Sequence, residues 1–216
     1  MPPLLDIDTT AFTVLEYKMS WIELVGTVLS LLSVWLIARR NILTWPIGIA
    51  SVILYGILFY QIRLYADTIE QVYYFVISIY GWWAWNRASR TEGATLTVRF
   101  SAMREILITI GATALLTIPV WIVVSRMHLW FPTVITEPAS FPFLDALTTV
   151  MSFTAMWIQT RRRTESWIYW IVVDILGVGL YWTKDVKFVA LLYFVLLAMA
   201  FTGLRKWRRG EPVEAI

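Results

Sequence analysis

The chain has 216 residues, of which 59% are hydrophobic and only 15% are charged, and its mean hydropathy is +0.67. This composition excludes an ordinary soluble domain and is typical of a protein that crosses a membrane several times. The net charge of +3 does not indicate nucleic-acid binding, because the basic residues form short runs at the ends of apolar segments. Since the chain has no cysteine, no phosphate-binding glycine loop and no paired metal ligands, we expect no disulfide, nucleotide hydrolysis, metal or other cofactor.

Seven apolar segments are long enough to cross a bilayer, which requires about 17–25 residues. Residues 1–19 contain acidic residues before any basic residue and lack a continuous apolar stretch, so they predict a surface segment rather than a signal peptide. We expect His128, between the fourth and fifth segments, to be a loop or interface residue rather than a ligand. In chain order the predicted spans are Trp21–Ala38, Trp45–Ile62, Thr68–Trp85, Met103–Ser125, Phe143–Thr160, Trp167–Thr183 and Phe188–Lys206.

The first three segments repeat in the last three. A shift of 122 positions, with no gap, aligns residues 24–87 with identical residues at many tryptophan, arginine and glycine positions. This pattern predicts an all-α polytopic membrane protein in which two parallel three-helix repeats are joined by a linker helix, with substrate bound where the repeats meet. The predicted units are an N-terminal segment (1–19), a first repeat (20–87), a linker region with the fourth helix (88–142), a second repeat (143–209) and a tail (210–216).

The basic residues predict the orientation of the chain. Of the 18 lysines and arginines, 13 fall on the side that holds the C-terminus, and 5 fall on the other side. Because positive charge is retained in the cytoplasm, we expect a cytoplasmic C-terminus and an external N-terminus in a cell inner membrane.

A stripe of chemically distinctive residues runs along the sixth predicted span. Trp167, Trp170, Asp174, Gly177 and Tyr181 are spaced i, i+3, i+7, i+10 and i+14, which places them on one side of a helix. A carboxylate at mid-span costs about 2.5–3.5 kcal/mol on insertion scales, so it should face the bundle interior or a wet cavity. Two indoles beside a carboxylate suit a flat cationic ring, although interfacial tryptophans and a hydrogen bond between helices are the structural alternatives.

The third predicted span repeats this spacing with Gln71, Tyr74 and Ser78, followed by Gly81 and Trp85. The amide of Gln71 both donates and accepts hydrogen bonds, which suits hydroxyl groups or a carboxamide, and a bond between helices is the equal alternative. Thus Tyr74 and Ser78 join Gln71 as candidate binding residues.

The second predicted span contributes two further candidates. Trp45 aligns with Trp167 in the repeat, and Ser51 is a small polar residue that either lines the site or packs between helices. Asp67 and Glu70, at the start of the third span, are adequately explained by a solvated helix N-terminus.

Four motifs resemble the PnuC family of vitamin-precursor transporters, over about residues 21–207. They are Asn41-Ile-Leu-Thr-Trp45-Pro46-Ile-Gly48-Ile, Gln61-Ile-Arg-Leu-Tyr65-Ala-Asp67, Gln71-Val-Tyr-Tyr74 through Tyr80-Gly81-Trp82-Trp83-Ala-Trp85, and Glu165-Ser-Trp167-Ile-Tyr-Trp170. The resemblance implies a fold similar to SWEET sugar transporters, a homotrimer, and facilitated diffusion of nicotinamide riboside that cytosolic phosphorylation makes one-way.

The resemblance also assigns roles to individual residues. It implies that Trp167 and Trp170 clamp the nicotinamide ring and that Gln71 binds the ribose. Asp174 and Ser51 stand where some members have asparagine, so thiamine and riboflavin, which other relatives carry, stay open as ligands. We expect uniport without ion coupling, because no span has the row of acidic residues that a proton pump needs.

Two other classes of protein are weighed against a transporter. A membrane-embedded enzyme needs a nucleophile with a base, a metal set or paired carboxylates at one depth, and Asp174 has no such partner at matching depth. We therefore predict no catalytic residues. A structural or receptor-like seven-helix protein is disfavoured by the tandem repeat.

Overall fold

The computed structural model describes residues 5–14, 17–92, 96–133, 135, 137–184 and 186–210. A short hairpin precedes seven helices in this part of the chain, and each predicted span is confirmed as a helix. The predicted tail lies outside the described residues beyond Gly210. The elements are β1 (Thr10–Val14), β2 (Tyr17–Ser20), α1 (Trp21–Ala38), α2 (Thr44–Gln61), α3 (Tyr65–Glu92), α4 (Met103–Trp130), α5 (Pro142–Thr160), α6 (Ser166–Thr183) and α7 (Lys187–Arg209).

The molecule is an all-α polytopic membrane protein. Among the residues that the structure describes, five helices are long and apolar enough to cross a bilayer, by length and composition: α1, α2, α4, α6 and α7. Helices α3 and α5 carry more polar residues, and they pack against each other, so part of that polarity faces protein rather than lipid.

Two helices are longer than their apolar segments. Helix α3 continues to Glu92 rather than ending at Trp85, and α4 continues from the predicted end at Ser125 to Trp130. The expectation that His128 lies in a loop is wrong, since His128 is in the last turn of α4. Hydropathy detects the part of a helix that lies in lipid and misses turns that continue into water.

The N-terminal segment forms an antiparallel hairpin that the sequence pattern did not predict. Tyr17 stacks on Phe188 of α7 with ring centroids 5.1 Å apart, and its hydroxyl donates to Glu23 of α1 at 2.5 Å. The side chain of Gln61, at the end of α2, donates to the carbonyl of Leu5 at 2.8 Å and accepts from the amide of Ile7 at 3.3 Å. The hairpin therefore connects the ends of helices from both repeats.

Six helices form a closed ring. Helix α2 packs between α1 and α3, and α6 packs between α5 and α7. The ring closes because α1 contacts α7 and α3 contacts α5, while α4 packs against α5. The two repeats thus meet along two seams, with the ring interior between them.

The buried centre of the ring at one end is a tryptophan core, formed by Trp45, Trp85, Trp167 and Trp207. Trp45 meets Trp85 edge to face at 5.3 Å, Trp167 meets Trp207 edge to face at 5.6 Å, and Trp85 and Trp207 are 6.3 Å apart. Both pairs are related by the 122-residue shift. Aromatic burial of this kind contributes strongly to core stability.

Hydrogen bonds tie the tryptophan core across the two seams. The indole of Trp85 donates to the carbonyl of Thr160 at 3.0 Å, and the indole of Trp207 donates to the carbonyl of Ile37 at 3.1 Å. Thus a tryptophan from each repeat binds the end of the first helix of the other repeat.

The turns beside this core repeat as well. Arg40 and Arg162 both adopt a left-handed backbone, with φ of 58° and 60°. The guanidinium groups of Arg39 and Arg161 lie 3.9 Å and 4.3 Å from the ring centroids of Trp35 and Trp157. The two halves therefore share backbone geometry and side-chain contacts as well as sequence.

Candidate functional site

The structure places Trp45 and Trp167 in the tryptophan core, each with 1% of its surface exposed. Trp167 lies over Gly203, where an added β-carbon would be 2.6 Å from the ring, and Trp45 covers Gly81 in the same way. A ligand cannot reach these rings without separation of the helices, so the predicted stacking of Trp167 on a ligand requires a different arrangement of the helices. The helical spacing placed Trp167 on one stripe with Trp170 and Asp174, but it did not define which helix packs against Trp167.

Trp170 lies one turn further along α6 and has different surroundings. Its indole is half-buried, packs beside the tryptophan core, and donates to Oε1 of Gln159 at 2.7 Å. Gln159 belongs to α5 and is 2% exposed. The hydrogen bond therefore joins the two helices that flank the α5–α6 turn.

Asp174 is buried on the same face of α6, four residues after Trp170. Within the described residues no side chain donates a hydrogen bond to its carboxylate, so the expected alternative of a bond to Ser, Thr or Tyr is not formed. The phenol of Tyr193 on α7 lies near this carboxylate. A buried carboxylate without a donor is an attractive site for a cation, because a positive charge offsets the cost of burial.

Tyr193 is the aromatic centre of the α6–α7 side. It packs directly on Gly177, where an added β-carbon would overlap its ring, and it stacks on Tyr181 with centroids 5.3 Å apart. A cavity of about 50 Å³ lies here, lined by Asp145, Thr148, Val173, Gly177, Leu180, Tyr181, Lys184 and Tyr193. Ligand sites commonly enclose about 300–1,000 Å³, so this cavity must enlarge before it admits a nucleoside.

The candidates on α3 are spread over several surroundings. Gln71 packs over Gly56 of α2, where an added β-carbon would lie 3.6 Å from the glutamine side chain. Tyr74 meets Phe153 of α5 edge to face at 5.7 Å and lies near Tyr193. Ser78 is 1% exposed. Tyr74 is thus the α3 candidate that the structure brings towards the α6–α7 side.

Ser51 is committed to packing between helices. Its hydroxyl donates to the carbonyl of Gly26 at 2.8 Å, and its side chain is buried. This contact corresponds to the structural alternative for Ser51, and a ligand would have to compete with it.

Glu70 is part of a seam between the repeats rather than a solvated helix end. Thr149 of α5 donates to its carboxylate at 2.8 Å, and one turn away Tyr73 donates to the carbonyl of Phe153, also at 2.8 Å. The expectation of full solvation is wrong for Glu70, because the start of α3 packs on α5 and not only on its own repeat.

Two residues of the site, Gln159 and Tyr193, were missed by the helical spacing. The repeat contains the signal that could have found them, because the 122-residue shift aligns Gln159 with Ile37 and Tyr193 with Gln71. Polar or aromatic residues that break an internal repeat mark positions where the two halves differ in chemistry.

Comparisons with known proteins identify the family of this chain. The family described as nicotinamide mononucleotide transporter matches residues 20–209. The nicotinamide riboside transporter PnuC of Escherichia coli is 32% identical, over 88% of this chain and 86% of its own length. The chain belongs to the PnuC family.

Other relatives of this PnuC-family chain differ in the ligand that their names state. The riboflavin/roseoflavin transporter RibM of Streptomyces davaonensis is 28% identical over 96% of both chains, and the nicotinamide riboside transporter PnuC of Neisseria mucosa is 24% identical over 88% of this chain and 73% of its own. A crystal structure of the vitamin B3 transporter PnuC has the same fold, with a TM-score of 0.66 and 24% identity, covering 88% of this chain and 81% of that one.

Proposed function

We propose that this chain is a transporter, not an enzyme, and that it carries nicotinamide riboside across the cell inner membrane by alternating access. The observation that supports it best is that the Trp170 indole and the buried carboxylate of Asp174 lie on one face of α6, where nothing in the described residues donates to the carboxylate. Residues four apart on a helix lie about 6 Å from each other, which is within reach of one small ligand.

The chemistry of these groups suits a cationic aromatic ring. An indole face attracts a cation, and a nearby carboxylate balances its charge. The pyridinium of nicotinamide riboside would stack on Trp170 with its charge towards Asp174. Tyr74, Tyr181 and Tyr193 provide aromatic and hydroxyl groups for the rest of the nucleoside, and Gln71 is proposed for the ribose after movement of α3.

Trp45, Trp167, Ser51 and Ser78 are proposed as the frame of the site. All four are buried by at least 97%, and Ser51 is already hydrogen-bonded to α1. They reach a ligand only in a conformation in which the repeats have moved apart.

Riboflavin is the second candidate, because RibM matches the chain over 96% of its length. Its isoalloxazine ring is flat but neutral, so it leaves Asp174 without a counter-charge. Thiamine is cationic and flat, and the residues of the site are compatible with it.

Binding and transport of these three ligands test the proposal. Purified protein in nanodiscs is titrated with nicotinamide riboside, thiamine and riboflavin by calorimetry, and uptake of each labelled ligand is measured in proteoliposomes. We expect saturable binding and flux of nicotinamide riboside with weaker binding of the other two. A preference for riboflavin or thiamine would contradict nicotinamide riboside as the substrate. Absence of saturable flux for all three ligands would contradict the proposal that the chain is a vitamin transporter.

Transport is proposed to be uniport. Two similar helical units can rock about a central site without ion coupling. Equilibration of riboside across liposomes, with no accumulation when a sodium or proton gradient is imposed, is the expected result. Accumulation driven by either gradient would contradict it and would direct attention to Asp174 as a proton carrier.

The proposed orientation places the tryptophan core at the cytoplasmic end, with the N-terminal hairpin outside. The excess of basic residues on the side of α7's last turn supports it. A fluorescent GFP fusion at Ile216 together with an active periplasmic reporter at the N-terminus is the expected pattern, and the reverse pattern would overturn the assignment.

A homotrimer with one pathway in each protomer is proposed from the family resemblance. Cross-linking in native membranes should give a trimer band. Recovery of monomer alone at saturating cross-linker would remove this proposal.

A further inference from the structure

The hydrogen bond between Gln159 and Trp170 differs from the other buried indole contacts. Trp85 and Trp207 donate to backbone carbonyls, whereas Trp170 donates to a side chain, at 2.7 Å. Gln159 is 2% exposed, so its amide is held in place by packing on α5. The orientation of the Trp170 ring therefore depends on a second residue that has almost no exposed surface of its own.

The first repeat forms its three helices without this pair. Positions related by the 122-residue shift hold Ile37 in place of Gln159 and Gly48 in place of Trp170. By contrast, the tryptophan core and its close-packed glycines, Gly81 and Gly203, recur in both halves. Contacts that recur in both halves support the shared fold. We infer that a contact present in only one half has a role other than support of that fold.

A ligand without twofold symmetry requires contacts of this second kind. If two related halves enclose one asymmetric ligand, the groups that select its orientation must differ between the halves. Trp170 packs against the tryptophan core and is hydrogen-bonded to Gln159, and the first repeat has neither residue at the equivalent positions. Asp174 on the same helix face is likewise replaced by an apolar residue, Val52, in the first repeat.

We propose that Gln159 is a positioning residue that fixes the plane of the Trp170 indole for stacking on the flat ring of the ligand. This inference rests on the proposed function for its ligand, but any flat-ring vitamin would need the same indole face. An indole side chain has only two torsions. A hydrogen bond to its N–H fixes the ring before the ligand arrives, so binding no longer carries the entropy cost of ordering the ring. Gln159 acts through the N–H of Trp170 and does not itself contact the ligand.

A double-mutant cycle tests this role. Gln159→Leu removes the acceptor at similar volume, and Trp170→Phe keeps an aromatic face but removes the N–H donor. We expect Gln159→Leu to weaken riboside affinity by about three- to tenfold in the wild-type background, and by less than about twofold in the Trp170→Phe background. Equal losses in both backgrounds would overturn the proposal, because Gln159 would then act without the N–H.

Thr160→Val is the matched control. It removes a buried hydroxyl one residue further along α5 that bonds to the carbonyl of Trp157, not to Trp170. Its riboside affinity should equal that of the wild type within about twofold. A loss as large as that of Gln159→Leu would show that any polar change in this turn weakens binding, and the proposal would fail.

A ligand-free measurement keeps the test independent of the substrate assignment. The indole ¹⁵N–¹H resonance of Trp170, assigned by its loss in Trp170→Phe, should shift and broaden in Gln159→Leu and stay sharp in Thr160→Val. An unchanged resonance would overturn the proposal whatever ligand the protein carries. If the wild type binds riboflavin rather than the riboside, the cycle is read with riboflavin, and only the proposed substrate fails.

Discussion

Tyr193 lies directly over Gly177, so closely that the glycine leaves no room for a β-carbon. This contact joins α7 to α6 beside the buried carboxylate of Asp174. The ring of Tyr193 is therefore placed by a backbone as well as by its stacking partner Tyr181.

Substitution Gly177→Ala should displace Tyr193 and weaken ligand binding. Overpacking of a tight contact costs about 1–3 kcal/mol, which exceeds the roughly 0.5–1 kcal/mol that alanine gains over glycine in a helix. The matched control is Gly179→Ala on the same helix, where an added β-carbon meets nothing within 4 Å. Thermal unfolding should show a lower midpoint and calorimetry a weaker ligand affinity for Gly177→Ala, and neither change for Gly179→Ala. Equal behaviour of the two variants would contradict the importance of this contact.

Substitution Asp174→Asn should separate binding from stability. Removal of the charge should reduce affinity for nicotinamide riboside by about 10- to 100-fold, or ~1.4–2.8 kcal/mol, while leaving riboflavin affinity nearly unchanged. The ligand-free protein should be at least as stable as the wild type, because a buried carboxylate is costly. A parallel loss of affinity for both vitamins would indicate a steric or structural role instead.

Substitution Trp85→Phe should destabilise the contact between the repeats. It removes the donor to the carbonyl of Thr160 and part of the buried ring, with an expected cost of about 1–3 kcal/mol. Trp82→Phe is the control, since 43% of the Trp82 surface is exposed and the ring faces outwards. The midpoint of thermal unfolding in nanodiscs should fall for Trp85→Phe only. An equal fall for both variants would show that loss of any tryptophan has this effect, and that the hydrogen bond to Thr160 is not its cause.

The contribution of the Glu92–Arg162 ion pair to the stability of the fold should depend on pH. Hydrogen bonds from Arg162 at 2.7 Å lower the pKa of the Glu92 carboxyl from 4.5 to about 2. A lowered pKa in the folded state stabilises the protein above the unfolded-state value of 4.5 and loses that effect as the pH falls towards 2.

The variant Glu92→Gln should therefore be less stable than the wild type at pH 7, by an amount typical of a surface pair, about 0.2–1 kcal/mol. The difference in unfolding midpoint should shrink at pH 3 and at high salt. A difference that is independent of both pH and salt would contradict a contribution from the charge of Glu92.

Hydropathy was sufficient to predict the seven helices, and the repeat was sufficient to relate the first three to the last three. The predicted first span coincides with α1, from Trp21 to Ala38, because its apolar run is bounded by a capping serine and an arginine pair. The N-terminal hairpin escaped prediction, since it depends on contacts with Gln61 and Phe188 that are distant in sequence.

The candidate site was only partly predictable for a related reason. Helical spacing places Trp167 and Trp170 on one side of α6, yet one turn of helix separates a ring closed over Gly203 from a ring held by Gln159. Periodicity gives the direction of a side chain relative to its own helix and says nothing about what the neighbouring helix presents. Gln159 and Tyr193 belong to such neighbours, α5 and α7.

The crossed hydrogen bonds of Trp85 and Trp207 resemble an isologous dimer interface, because each tryptophan donates to a carbonyl in the last turn of the other repeat's first helix. Two separate copies of a three-helix chain could make this interface equally well. In such a dimer every substitution would appear twice, once on each side of the axis. Joining the copies through α4 lets one half change alone, and the chain can thereby distinguish the two ends of its cargo.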